Sequence, residues 1–215
     1  MSKTIQERLK QAQEIYANAK AKGFHNEDLS IKHCLMLVFK EVGGAVNAHR
    51  KGDDVNNPFL DSTYKEVYLR HYQNGEDSID MEPYKCMIKG TWQDEIADVY
   101  IRLMDLVMMI EDKHNFSLEA VFERNEEEHL LSFATSLLWQ DELTKPFVEK
   151  CFTLQVLIND IFRNYELKLE REFLAWNLAC VAMNLEKFFD FDLGWHVAEK
   201  MKYNATRRYL HGKAY

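Results

Sequence analysis

The stretch from Thr91 to Ile110 constrains the fold more than any other part of the chain. Its apolar residues recur at steps of three and four positions, which is the period of one buried helical face. Thr91 stands where an N-cap is expected, and Asp94 lies in the first turn, where negative charge is favourable. We therefore predict a helix whose buried face consists of Trp92, Ile96, Val99, Leu103, Leu106 and Ile110.

A second stripe of the same predicted helix carries charge. Its residues are spaced by three, four and three positions, and they are Glu95, Asp98, Arg102 and Asp105. Glu95 and Asp98 therefore project the same way, about one turn apart. Two carboxylates in this arrangement suit Mg²⁺, which takes oxygen ligands and often binds one or two protein carboxylates beside substrate phosphates. The same spacing is also typical of a solvated acidic face.

Charge and hydropathy exclude several functions. The formal net charge is -8, and no basic stripe exists to displace the counterions of a nucleic acid, so we expect no nucleic-acid partner. A small anion escorted by a divalent cation remains compatible with this charge. No apolar run reaches about eighteen residues and the N-terminus is polar, so we expect a cytoplasmic protein with no membrane partner. The four cysteines lack metal-ligand spacing and are expected to be reduced and mostly buried.

The rest of the chain predicts an all-α fold. Only 8 Gly and 3 Pro occur in 215 residues, which favours long helices. Thr4 with Glu7 forms a capping-box pattern, and Ser30 precedes a second helix that ends before Gly52. The polar connection from Gly52 to Gly90 is expected to be a lid, a binding loop or a surface excursion.

Two adjacent glycines lie inside the second predicted helix. Gly43 and Gly44 each cost about 1 kcal/mol relative to Ala in a helix interior. We expect either a neighbouring helix or a ligand to approach the backbone closely at this point.

Two segments of the chain resemble each other. Phe116-Ser117-Leu118 follows Glu95 by the same interval as Phe191-Asp192-Leu193 follows Glu170. We predict a tandem degenerate duplication, with halves at residues 1–125 and 126–215 that pack as a pseudo-dimer in one compact unit. A homodimer of the whole chain is compatible with this architecture. The second copy has Phe173 where the first has Asp98, so only the first copy keeps the acidic site.

The segment KEVGGAVNAHRKGD, followed by WQDEIADVYIRLMDL, resembles the all-α nucleoside triphosphate pyrophosphatases, the MazG and dimeric dUTPase superfamily. The later stretch AEKMKYNATRRYLHGK is similar to the family's closing Lys, Asn and Arg segment. The resemblance implies a helical bundle that splits a nucleoside triphosphate into monophosphate and pyrophosphate with Mg²⁺, or with Mn²⁺. By match, the metal ligands and catalytic residues would be Glu41, Glu95 and Asp98, and the residues facing nucleotide or phosphate would be Lys200, Asn204 and Arg207.

The chain departs from the family pattern on the first acidic helix. Gly44 and Asn47 stand where the family commonly has Glu, which leaves three matched carboxylates. A composite site, with acidic residues from the first half and basic residues from the second, would be complete. If Glu41 is not itself a metal ligand, we expect it to orient or deprotonate the attacking water.

Other interpretations stay open from the sequence. A catalytically impaired nucleotide-binding or regulatory protein of the same fold is the main alternative. A di-iron bundle is another, since Glu111 with His114 and Glu126 with His129 each form an ExxH pair. A nucleobase could stack on one of three aromatic residues that are otherwise typical of a core or a pocket rim: Tyr64, Trp92 and Trp195.

Overall fold

The structure, a computed structural model, describes residues 4–55, 82–124 and 142–212. Within these ranges it contains eight α-helices, two short 3-10 segments and no strand, so the expected all-α fold is confirmed. The helices are α1 (Ile5–Ala21), α2 (Ile31–Lys51), α3 (Glu82–Met87), α4 (Trp92–His114), α5 (Leu118–Arg124), α6 (Phe147–Glu166), α7 (Arg171–Phe189) and α8 (Leu193–Thr206). The 3-10 segments are Glu142–Thr144 and Tyr209–Gly212.

The helix ends follow the local chemistry of the sequence. Thr4 and Glu7 form both bonds of a capping box at the start of α1. The hydroxyl oxygens of Ser30 and Thr91 accept first-turn backbone N–H groups of α2 and α4. Gly52 ends α2 in the left-handed conformation, with φ of 75°. The predicted starts of these three helices are therefore confirmed.

Helix α4 is the centre of the bundle. It packs most extensively on α2 and α7 and also contacts α1 and α8. All six residues of its predicted apolar face are buried. Tyr100, Met104 and Val107 are buried as well, because neighbouring helices cover α4 on more than one side. The sequence predicted one buried face, whereas in the structure neighbouring helices cover most of α4.

The ends of α4 and α7 share one local geometry. Asn115 and Asp190 follow these helices in the left-handed conformation, with φ of 53° and 55°. Ser117 and Asp192 then cap the next helix through their side-chain oxygens. These paired ends agree with the repeated sequence, whereas the boundary expected between residues 125 and 126 lies outside the described residues.

Three of the four cysteines are buried, and burial keeps their thiols protonated. Cys34, Cys151 and Cys180 are buried, and Cys86 is exposed. Burial raises the pKa of Cys151 and of Cys180 to about 12, so both thiols stay protonated near neutral pH.

None of the helices in the described ranges is both long and apolar enough to cross a bilayer.

Replacing a residue at the centre of α4 should destabilise the whole bundle. Leu103 is fully buried, and Leu103→Ala is expected to lower the free energy of unfolding by about 2–5 kcal/mol. Met36 on α2 is 63% exposed, so Met36→Ala is the control and should change the free energy of unfolding by less than about 0.5 kcal/mol. Urea denaturation followed by circular dichroism measures both, and equal losses would contradict the central role of α4.

Candidate functional site

Three carboxylates from two helices meet beside the N-terminal half of α4. Glu41 comes from α2, and Glu95 and Asp98 come from the first two turns of α4. One oxygen from each lies within 4.8 Å of the others. One cation could contact all three, and such hard oxygen donors suit Mg²⁺ or Mn²⁺. The expected convergence is present, and the identity of the ion stays a prediction.

Positive side chains pair with two of the three carboxylates, Glu41 and Asp98. Lys40 Nζ lies 2.9 Å from one oxygen of Glu41, and Arg102 Nε lies 3.6 Å from the other. Lys200 Nζ lies 2.7 Å from an oxygen of Asp98. Because Glu41 is buried, these ion pairs offset part of the cost of removing its charge from water.

Asp94 holds Lys200 against the acidic cluster. Lys200 Nζ lies 2.8 Å from Asp94, and both side chains are buried. Asp94 also accepts hydrogen bonds from the Tyr84 hydroxyl and from the backbone N–H of Gly90. Burial alone would lower the pKa of Lys200, but Asp98 and Asp94 outweigh it and hold that pKa above its usual range. The ammonium therefore stays charged at neutral pH.

Asn204 and Arg207 reach the same region from the end of α8. Asn204 is buried, and its Oδ1 accepts a hydrogen bond from Arg207 Nη1 at 3.5 Å. The Arg207 guanidinium lies 5.6 Å from the centroid of the Tyr203 ring. Lys22 Nζ donates to the carbonyl oxygens of Ala205 at 2.8 Å and of Arg207 at 2.5 Å. These bonds tie the end of α8 to the end of α1.

One cavity of about 210 Å³ contains all six site residues expected from the sequence. Most of its lining comes from α1, α2, α4 and α8, and the rest comes from residues at helix ends or between helices. The remaining polar and charged residues that line it are Asn18, Lys22, Lys40, Lys89, Asp94, Arg102 and Asp105, and the apolar ones are Ile15, Ala19, Phe24, Ile101, Met201 and Tyr203, together with Gly90.

Glu95 has an altered proton affinity in this setting. Burial is the main cause, followed by repulsion from Asp98, and together with Glu41 they raise the pKa of Glu95 to about 7. Lys200 opposes this shift without cancelling it. Near neutral pH, Glu95 is therefore divided between its neutral and ionised forms in the metal-free chain.

Gly44 accounts for the path of the Glu95 side chain. A Cβ atom at Gly44 would meet the carboxylate of Glu95, whose Cδ would lie only 3.0 Å away. Gly43 faces open space, with nothing within 4 Å of such an atom. The close approach expected at these glycines therefore occurs at Gly44, and what approaches is a carboxylate of the site. Nothing in the described structure explains Gly43.

A second cavity shares Glu95 with the first. It measures about 520 Å³ and is lined by Gly44, Asn47, Lys51 and Glu95 among others. Lys89 and Gly90 line both cavities. Asn47, which stands where the family commonly has Glu, lines this second cavity and not the one that contains Glu41.

The tryptophans considered for base stacking lie elsewhere. Trp92 is buried and packs edge-on against Phe147 and Phe191, as expected of a core residue. Trp195 packs edge-on against His196 and lines a different cavity from Glu41. Tyr64 and most of the connection between Gly52 and Gly90, residues 56–81, lie outside the described residues.

The first ExxH pair has a structural role at the carboxylate. Glu111 Oε1 accepts the backbone N–H of Leu118 at 3.0 Å, which fixes the start of α5. His114 is exposed at the end of α4. Partial burial of its ring lowers its pKa, and repulsion from Arg171 and Lys113 adds to this effect. Neither residue belongs to the acidic cluster that could hold a metal in the described residues. Glu126 and His129 lie outside the described residues.

Two functional candidates were missed by sequence reasoning. Asp94 lies four residues before Asp98, and this spacing could have signalled a second carboxylate on the same face. Asp105 lines the cavity, and its carboxylate lies 2.8 Å from His25. His25 lies in a loop, where no sequence pattern indicated this contact. Their partners, Lys200 and His25, are 106 and 80 positions away in sequence, so periodicity within one helix could not show what holds these two carboxylates.

Comparison of the chain with protein-family models, with curated proteins and with solved structures gives no match. What the site can do follows from its own chemistry. Three carboxylates spaced for one cation share a cavity with lysine, arginine and amide side chains, which are the groups that bind phosphates.

The stability of the metal-free protein should depend on pH through Glu95. The pKa of about 7 in the folded chain exceeds the ordinary glutamate value of 4.5. The neutral carboxyl therefore favours folding below that lower value, and this contribution is lost as the pH rises to about 7. Glu95→Gln stays neutral, so its melting temperature relative to the natural chain should increase from pH 5 to pH 8. Thermal unfolding in EDTA measures this, and a pH-independent difference would refute it.

Removing the ammonium of Lys200 should leave a buried charge uncompensated. Lys200→Met is expected to destabilise the fold by about 3–5 kcal/mol. Adding Asp94→Asn should recover part of this loss, because the amide no longer needs a cation. Lys20→Met is the control, because Lys20 and its partner Asp112 are both exposed, and it should cost less than about 1 kcal/mol. Chemical denaturation measures all three variants, and equal effects at Lys200 and Lys20 would count against the buried ion pair.

Proposed function

We propose that this chain hydrolyses a nucleoside triphosphate to the monophosphate and pyrophosphate in a Mg²⁺-dependent reaction, as its resemblance to the MazG and dimeric dUTPase superfamily implies. The observation that carries the proposal is the meeting of Glu41, Glu95 and Asp98 within 4.8 Å, in one cavity with Lys200 and Arg207. Carboxylates alone would suit many cations. Carboxylates beside cationic side chains suit a cation that arrives with a polyphosphate.

The carboxylate residues fit a hard divalent ion. Their oxygens come from different helices and can approach one ion from separate directions, and Glu41 is held by Lys40 and Arg102. When bound, Mg²⁺ would supply charge neutralisation of the phosphate oxygens and a Lewis acid at the reacting phosphorus. Mn²⁺ would suit the same ligands.

The protein's own contribution to the reaction is positioning and charge. Lys200 and Arg207 line the cavity, and in this proposal they neutralise phosphate oxygens as the leaving pyrophosphate gains charge. Asn204 offers an amide to the same group. Glu41 is the residue we assign to orienting the attacking water when it is not itself a ligand. Little covalent chemistry is needed beyond this arrangement.

We infer that the site is a composite of two related halves. The carboxylates belong to α2 and α4, whereas Lys200, Asn204 and Arg207 belong to α8. The matching ends of α4 and α7, at Asn115 and Asp190, support a duplicated unit whose two copies have since divided the site between them.

A second function is favoured by a specific observation. Gly44 and Asn47 leave the cluster with three carboxylates, and Lys200 already contacts Asp98. A chain with this arrangement could bind a triphosphate without splitting it. We rank this second, because a phosphate-bound Mg²⁺ keeps several waters and needs few protein ligands. The loss of a carboxylate should instead raise the metal concentration that hydrolysis requires.

A panel of canonical and modified triphosphates tests the proposal. We expect release of pyrophosphate from at least one of them with Mg²⁺ or Mn²⁺, mainly at high metal concentration. Asp98→Asn should reduce the rate roughly 100-fold or more, because it weakens a direct ligand. Asp112→Asn changes an exposed carboxylate farther along α4 and should keep the full rate.

The outcomes separate the two functions. Binding of a triphosphate in a calorimeter, with no pyrophosphate from any member of the panel, would favour the binding protein. A full-rate Asp98→Asn enzyme would reject the acidic cluster as the reaction centre.

A further inference from the structure

The cavity that holds the acidic cluster extends along α4 to a further carboxylate, Asp105. Asp98 and Asp105 lie seven residues apart, so they share one face of the helix. The helix rises roughly 10 Å between them. This separation is comparable with the reach from the phosphates of a nucleotide to the hydrogen-bonding edge of its base. Both residues line the same cavity.

Asp105 is held in place by His25. The His25 Nε2 atom lies 2.8 Å from Asp105 Oδ1, and the two side chains are only 10% and 15% exposed. An ionised carboxylate only accepts hydrogen bonds, so the Nε2–H form of the ring donates this bond. The His25 ring packs edge-on against Tyr16, with centroids 4.7 Å apart. The carboxylate is therefore oriented from outside the cavity.

The cavity that Asp105 lines also has apolar walls, which suit a flat, partly apolar ring. Ile15, Phe24 and Ile101 line the same cavity. The guanidinium of Arg102 lies 5.8 Å from the centroid of the Phe24 ring. Aromatic rings and arginine planes are the surfaces on which proteins stack nucleobases. Arg102 Nε also lies 3.6 Å from Glu41, so these walls border the acidic cluster, and phosphates and a base would occupy adjoining parts of one cavity.

We propose that Asp105 selects a guanine base, an inference that rests on the proposed function. A carboxylate accepts two hydrogen bonds side by side and donates none. Guanine presents two adjacent donors, N1–H and the 2-amino group. Adenine and cytosine each place a ring-nitrogen acceptor beside their amino group, and uracil places its single N–H between two oxygens. Only guanine among the four matches Asp105 without an acceptor facing an acceptor.

Calorimetry with α,β-methylene triphosphates tests this, because those analogues cannot be split between the α and β phosphates. With Mg²⁺ present, the guanosine analogue should bind roughly tenfold or more tightly than the adenosine, cytidine and uridine analogues. The inosine analogue lacks the 2-amino group and should lose part of this advantage.

A substitution that changes the preferred base is the sharper test. Asp105→Asn keeps an oxygen for His25 and adds an amide N–H. Xanthine has an oxygen, O2, where guanine has its 2-amino group, and the new N–H can donate to that oxygen. This variant should bind the xanthosine analogue more tightly than the guanosine analogue. Asp160→Asn, at an exposed position of α6, is the control and should keep the guanine preference.

The results distinguish this inference from the proposed function. Equal affinity for all bases, or an unchanged guanine preference in Asp105→Asn, would overturn base selection by Asp105 and leave the proposed pyrophosphatase intact. Failure of every triphosphate analogue to bind would overturn both. Guanine preference that moves to xanthine in Asp105→Asn would establish the contact.

Discussion

A buried ammonium between two carboxylates fixes how the bundle closes around its site. Charges removed from water cost several kcal/mol each unless they are paired, so α8 is stable only in the register that places Lys200 between Asp94 and Asp98. That register puts Asn204 one turn later and Arg207 at the end of the helix. The buried ammonium therefore sets the positions of the three residues that this end of the chain contributes to the cavity, which are Lys200, Asn204 and Arg207.

The same helix supplies both the core and the acidic side. Because neighbouring helices surround α4, its charged stripe faces a cavity rather than bulk water. This enclosure is the source of the raised pKa of Glu95 and of the ion pairs around Glu41. It also requires the bare backbone at Gly44, since a side chain there would occupy the place of the Glu95 carboxylate.

The sequence predicts what depends on neighbours along the chain and misses what depends on folding. The caps at Thr4, Ser30 and Thr91 involve residues only a few positions away, and all three were predictable. The meeting of carboxylates required a motif resemblance in addition to periodicity. The pairing of Asp94 with Lys200 joins residues 106 positions apart, so no pattern within a helix indicated it. Close approach at Gly44 was predictable, but the identity of the approaching group was not.

The bonds from Lys22 to the end of α8 bear on the order in which the molecule assembles during synthesis. They join residues 183 and 185 positions apart, so the first helix of the bundle has to wait for the last. Domains fold on the ribosome as their segments emerge, and long-range contacts form late. Until α8 folds onto the bundle, Asp94 and Asp98 lack the ammonium of Lys200, and the cavity lacks one of its walls. The cavity can therefore close only after both helices that carry its carboxylates are already in the chain.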